Sequence, residues 1–354
     1  MKPLKFAFAA LALAASTVAL HAQEVINLTY ASAFPPVLMT EKMIIEDLIP
    51  EVNAELARTG NKYKINWTIA AGGTLIKPNE TIDALNSGLT DMASLSHAQE
   101  SARLSLLNVG YLTPFTTADI GTAMRAFEYL STEYPATKKL LEDNKIKFLA
   151  TFSAGNFVVM SKSKIEKVED FKGLKIGGGG PNLAWFKNTG ATGVQASPAT
   201  AYTSLQSGAV DALADIRLIA IGARTYEQAP FMLEAGIGCS PSGMIAFSQT
   251  KWDTLPAEVQ AALEHAGQHY IKKYAEAAMA GDAKATEDLK AKGVTVTMMT
   301  PENRKAWVDG MDPIAMNWAK DQDAKGLDGT GVLKAYMDFM RKNGATPVRA
   351  WDQQ

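Results

Sequence analysis

The order of elements between residues 24 and 96 restricts this chain more than any other feature. Val25, Ile26, Leu28 and Tyr30 alternate as in a strand. Thr40 to Arg58 then repeats apolar residues at helical spacing, with Met43, Ile44, Leu48, Val52 and Leu56 on one face and Pro50 as a predicted kink. Tyr63 to Ala70 is a second strand, Asn79 to Ser87 a helix stopped at Gly88, and Asp91 to Ser96 a third strand. Strand, helix, strand, helix, strand requires a parallel sheet in an α/β layer. Ligands of such sheets bind beyond the carboxyl ends of the strands. The loops holding Phe34, Gly73-Thr74 and Ser96-His97 are therefore expected on one rim.

The pattern returns further on. Strands are predicted at Ile146–Phe152, Phe157–Ser161, Leu174–Ile176, Ala209–Ile216 and Met244–Ser248, with helices at Asn182–Thr189 and Thr200–Ser207. Asp83-Ala84-Leu85-Asn86-Ser87-Gly88-Leu89-Thr90-Asp91 is echoed by Thr203-Ser204-Leu205-Gln206-Ser207-Gly208-Ala209-Val210-Asp211. This match suggests two halves of similar build, though it is short enough to be only a common helix-to-strand turn. Pro256 to Lys292 reads as one long helix, followed by helices at Pro301–Lys320 and Val332–Asn343. No linker-like stretch separates the halves, so crossing strands are expected to join them.

Residues 1–22 read as a secretory signal: Lys2 and Lys5, an apolar run from Phe6 to Leu20, and cleavage near Ala22. An uncleaved anchor is the alternative. The 354 residues are enough for about two domains. Without Lys2 and Lys5 there are 33 basic and 37 acidic residues, which argues against a nucleic-acid partner. Cys239 is the only cysteine, so no internal disulfide forms. The expected location is the periplasm.

Catalytic constellations are weak. No Gly-x-Ser-x-Gly elbow is present. His265 and His269 stand four apart without a His-Glu-x-x-His pattern, so exposed helix polar residues are expected there rather than a metal site. No cofactor and no enzymatic activity are expected. Gly177-Gly178-Gly179-Gly180 between a strand and a helix start fails the dinucleotide fingerprint, because Asn182 falls where the last glycine belongs. The run offers backbone N–H groups to an anion, or merely a tight crossing. Trp185 follows it and is read evenly as ligand contact or core. Asp215 and Arg217 share a face at a strand end, as a surface ion pair or as an acid and a guanidinium at a pocket mouth.

Asp170-Phe171-Lys172-Gly173-Leu174-Lys175-Ile176 together with Ala201-Tyr202-Thr203-Ser204-Leu205-Gln206-Ser207-Gly208-Ala209-Val210-Asp211 resembles the solute receptors of tripartite ATP-independent periplasmic (TRAP) transporters, the DctP-like family. The resemblance covers essentially the whole chain after the signal. It implies a two-domain α/β periplasmic binding protein of Venus-flytrap type with a long bridging helix. The implied division is residues 23–150 completed by about 243–285, and residues 151–242 completed by about 286–340. It also implies a small organic acid, aromatic or hydroxy/keto acids among the candidates, held in an interdomain cleft and delivered to the small and large membrane subunits of a permease. A neutral or amine solute, or a sensory role, are the alternatives. Where the family places a carboxylate-clamping arginine this chain has Gly177, and a second such arginine aligns near Asn156. Taken together, the rim loops, the glycine run, the strand end at Asp215 and the resemblance give an expected site of Phe34, Gly73, Thr74, Ser96, His97, Asn156, Gly177, Gly178, Gly179, Asn182, Trp185, Asp215 and Arg217.

Overall fold

The computed structural model describes residues 23–196 and 198–353; the cleavage site near Ala22 lies outside them. The first unit is built as the alternation requires. β1 (Glu24–Ser32), β2 (Tyr63–Ala70) and β3 (Met92–Ser96) are parallel, with β1 in the centre. α1 (Met39–Met43) runs through a π-helical turn at Ile44–Leu48 into α2 (Ile49–Arg58), and α3 (Thr81–Ser87) ends on Gly88 at φ 75°. That π turn directly precedes Pro50, the predicted kink position, which stands in the first turn of α2. A wider turn placed just before a proline accommodates the missing N–H without breaking the helix.

α4 (Ile120–Thr132) and α5 (Pro135–Asp143) lead into β4 (Ile146–Ser161). The two strands predicted at 146–152 and 157–161 are one strand of 16 residues. Gly155 at φ 119° lies between them, so the local breaker bends the strand without ending it. Then follow β5 (Lys175–Gly178), α6 (Gly180–Leu183), β6 (Thr192–Gln195), α7 (Pro198–Gln206), β7 (Ala212–Ile216), α8 (Arg217–Gly222), β8 (Phe231–Glu234), β9 (Cys239–Ser248) and α9 (Gln249–Trp252). The helix predicted at 182–189 shrinks to the single turn of α6 plus a 3-10 turn at Ala184–Phe186. α10 (Ala257–Ala291) is the long helix, 35 residues without interruption. β10 (Thr295–Met298), α11 (Pro301–Asp309), α12 (Ile314–Asp323) and α13 (Gly329–Lys342) finish the chain. The helix predicted at 301–320 is divided at Gly310–Pro313, because proline cannot continue the hydrogen-bond ladder of the preceding turn.

The sheet order is β2-β1-β3-β9-β4-β7-β5-β6, with β8 and β10 paired beside it. β4 and β9 are the crossing strands. The start of β4 pairs with the end of β9 in the first lobe, from Ile146 opposite Ser248 to Phe152 opposite Gly243. Its far end pairs with β7 and β8 in the second. The protein is thus a two-domain α/β binding fold with a long helix lying along it. Along β4, Val159 belongs to the large core while Val158 and Met160 enter a smaller cluster with Leu205, Val210 and Leu213, as the two faces of a strand require. Leu289 near the end of α10 joins that smaller cluster, and Leu263 and Tyr270 join the larger one.

At Gly267 the long helix rests directly on β4: an added Cβ would run into the carbonyl of Leu149. Replacing a mid-helix glycine by alanine normally stabilises. Here Gly267→Ala is expected to destabilise the protein by about 1–3 kcal/mol, read as a lower urea midpoint with an unchanged slope.

Candidate functional site

Because β1, β2 and β3 are parallel, their carboxyl ends meet on one edge. The Ser32 hydroxyl oxygen accepts from the Phe34 N–H at 2.9 Å. Gly72 donates to the Phe34 carbonyl and Gly73 to the Ser32 carbonyl, each at 2.9 Å. Both glycines sit in the left-handed region, at φ 77° and 73°, which lets two consecutive amides turn toward the neighbouring loop. Phe34, Gly73 and Thr74 therefore share one rim. Thr74 donates to the Ala71 carbonyl at 3.2 Å, and the Lys77 ammonium to the Gly73 carbonyl at 2.7 Å. The half-buried Phe34 ring stands edge-on to Phe152 of β4 at 6.3 Å. Ser96 ends β3 opposite Gly243, half-buried. His97 goes the other way: it is buried and stacks on Phe127 of α4 at 5.4 Å.

Beneath this rim lies a polar network that the reading of the chain did not single out. The buried Glu41 carboxylate accepts from Tyr30 at 2.7 Å and from Ser94 at 2.6 Å. Burial raises its pKa above the usual carboxylate value, and burial raises Tyr30 as well. Thr40 and Tyr274 of α10 share a hydroxyl bond at 3.0 Å, and Tyr274 donates to the Ser153 carbonyl of β4 at 2.8 Å. Glu41 was legible: it precedes Ile44 and Leu48 by three and seven residues, on the apolar stripe of the helix.

In the second lobe the glycine run is explained by space. None of Gly177 to Gly180 has a positive φ. A Cβ at Gly177 would lie 2.7 Å from Leu213, 3.1 Å from Ala196 and 3.2 Å from Val210. A side chain there would enter the smaller core, so Gly177 does not leave an arginine's place at a pocket wall. Gly178 packs against Leu183 and Ala214, and Gly179 faces open space as the cap of α6. Asn182, in α6, is buried with its side-chain oxygen lacking a partner.

Trp185 is core. It is 2% exposed, donates to the Tyr111 carbonyl at 2.8 Å and stands edge-on to Phe157 at 5.0 Å, while its own carbonyl accepts from the Trp307 indole. Asp215 and Arg217 are both buried and do not pair with each other. Asp215 accepts from the Ile216 N–H at 2.8 Å and from Thr225 at 3.1 Å; burial raises its pKa to about 6. Arg217 donates to both Asp282 oxygens, at 2.9 and 2.8 Å, and pairs with Glu234. Its Nε lacks a partner. Asn156 donates to Asp282 at 2.9 Å and to the Ala118 carbonyl at 3.0 Å, with its side-chain oxygen unpartnered. Arg217, Asp282, Glu234 and Asn156 thus form one largely buried polar knot where α10, the start of α8, the end of β8 and the bend of β4 meet. The structure brings Asn156 and Arg217 together, gathers Phe34, Gly73 and Thr74, and sets His97 and Trp185 into packing.

A model of the bacterial extracellular solute-binding proteins, family 7 (DctP), matches residues 49–321. The chain belongs to this family. A 2,3-diketo-L-gulonate-binding periplasmic protein of Escherichia coli K12 is 27% identical over 292 residues, covering 79% of this chain and 84% of its own. Two solved family structures overlay with a TM-score of 0.78. One is a TRAP periplasmic solute-binding protein from Desulfovibrio salexigens, 22% identical, covering 90% of this chain and 97% of its own. The other is a marine metagenome TRAP solute-binding protein specific for aromatic acid ligands, in complex with 3-hydroxybenzoate, 19% identical, covering 91% of this chain and 100% of its own. No described helix of this family 7 protein is long and apolar enough to cross a membrane.

Two outcomes test the knot and its neighbour. Arg217→Met leaves Asp282 and Glu234 buried together without a cation. It is expected to cost about 3–5 kcal/mol, and less when Asp282→Asn is added, measured by urea unfolding. The native state keeps a proton on Asp215 that the unfolded chain, with an aspartate pKa of roughly 3.9, releases between about pH 4 and 6. Stability therefore falls as pH rises through that window, and the cost is complete above it. Asp215→Asn should be more stable than the parent by about 2–3 kcal/mol at pH 7 and no more stable at pH 4.

Proposed function

We propose that the protein is the periplasmic receptor of a TRAP transporter, with its signal removed near Ala22, and that its solute is a small organic acid, aromatic and hydroxy- or keto-acids being the first candidates. The carrying observation is the match to family 7, in a chain whose strand-end rim at Phe34, Gly73 and Ser96 and whose strand β5 with its glycine run lie on opposite sides of the shared strands β4 and β9. The relatives that bind a diketo sugar acid and an aromatic acid support the ligand class. In this reading the moving bodies are residues 23–150 with about 243–285, and 151–242 with about 286–340. They close on the solute, and the closed form is presented to a small and a large membrane subunit. Closure needs no chemistry, only a solute that contacts both bodies when shut.

The carboxylate is held without a free arginine from the knot, because the Arg217 guanidinium is already shared by Asp282 and Glu234. The donors we assign are the Asn182 amide and the backbone about Gly178 and Gly179, with the unpartnered Asn156 side-chain oxygen left to accept from a solute hydroxyl, Phe34 against the solute's apolar body and Gly73, Thr74 and Ser96 on the facing rim. Asp215 as anchor for an amine is the weaker reading, since both its oxygens already accept hydrogen bonds.

A thermal-shift screen of 3-hydroxybenzoate, 2,3-diketo-L-gulonate and related acids against polyols and amines tests the class. Ligand at about a hundred times its Kd adds roughly 2.7 kcal/mol, a rise of several degrees in Tm. An organic acid should produce it, and Asn182→Ala should weaken that acid at least about tenfold, the scale of one buried hydrogen bond to a charge. A shift with amines or polyols alone would overturn the assignment.

A further inference from the structure

α2 and α10 meet along a seam that the solute site does not use. α2 and the π turn before it present Asp47, Glu51 and Glu55 at successive turns, and α10 presents His265 and His269 at successive turns opposite them. His265 Nε2 lies 3.4 Å from Glu51 Oε1 and 3.7 Å from Glu55 Oε2. One donor atom from each of the three lies within 4.8 Å of the others. One turn away, His269 Nε2 is 3.6 Å from Asp47 Oδ1. Both His269 Nε2 and Asp47 Oδ2 are buried atoms without a hydrogen-bond partner.

We propose that this seam binds one divalent transition-metal ion, of which Zn2+ is the probe, through His265, Glu51 and Glu55, with water completing the shell. Imidazole and carboxylate together suit zinc, whose bonds of about 2.0–2.2 Å put neighbouring ligand atoms about 3.3 Å apart. The His265–Glu51 distance of 3.4 Å already meets that spacing and the His265–Glu55 distance of 3.7 Å is close to it. His269 and Asp47 border the site, one turn along the same seam, each with a buried polar atom lacking a partner.

The position is held at present by a protein cation. Arg58 bonds to both glutamates, with its side chain half exposed. Its guanidinium can swing into water, leaving both carboxylates to the metal. Lys273 bonds to Asp47 at 2.7 Å and stays one turn away. The bound ion would link the first lobe to the long helix and stabilise the native protein by linkage.

Calorimetric titration of the untagged, chelator-treated protein with Zn2+ tests this, with Tm followed in parallel. One ion per chain should bind with a Kd in the micromolar range, about −8 kcal/mol, and raise Tm. His265→Ala and Glu55→Gln should each weaken binding at least about tenfold. Arg58→Ala should tighten it, because the competing cation is gone; a loss of fold cannot produce that result. Each variant is compared with the parent by circular dichroism without metal. Saturation only above roughly 0.1 mM, or equal affinity in the parent, His265→Ala and Glu55→Gln, would overturn the proposal.

Discussion

The β4–β9 ladder is the constraint on which the rest of this structure depends. One antiparallel pair runs through the first lobe, bends at the junction and delivers β4 to the sheet of the second. Its register is not smooth. Shifts fall between Phe148 and Ala150, between Phe152 and Ser153, and between Ser153 and Asn156, and Gly155 adopts a φ that a side chain would strain. Bulges concentrate twist and bending in a few residues. A two-lobed binding protein needs its backbone change confined in this way, because packed cores do not deform continuously.

The long helix fixes what the ladder leaves free. Gly267 lets α10 sit on the backbone of β4 in the first lobe, while Asp282 farther along accepts from Arg217 at the start of α8 and from Asn156 at the bend of β4. Tyr274 lies between them and donates to Ser153. Contacts of α10 therefore bracket the bend on both sides. The knot at Asp282 also explains why Arg217 is occupied: two carboxylates buried next to each other require a guanidinium, and its planar donors satisfy both. The same demand takes Arg217 away from direct use on a solute.

Much of this was written locally. Apolar spacing gave the α/β alternation and one long helix from about Pro256 to Lys292, because burial periodicity is a property of short windows, whereas the two-unit plan rested on a short repeat and on the family resemblance. The single rim shared by Phe34 and Gly73 followed from parallel connectivity. The partnerships were not legible. Trp185 was open between ligand and core until Tyr111, Phe157 and Trp307 closed around it. Asp215 and Arg217, two residues apart, turned to different partners, Thr225 in one case and Asp282 with Glu234 in the other.

The glycine run shows the boundary between the two most clearly. Sequence alone determined that a strand ends and a helix begins there, and that no large side chain intervenes. It could not say whether glycine was required for backbone freedom, for a ligand or for space. Tertiary structure decided for space at Gly177, because Leu213 of β7, Val210 just before it and Ala196 just after β6 fill the volume a Cβ would occupy. Composition and periodicity carry the first kind of information along the chain. The second exists only once residues from separate elements are packed to near-crystalline density.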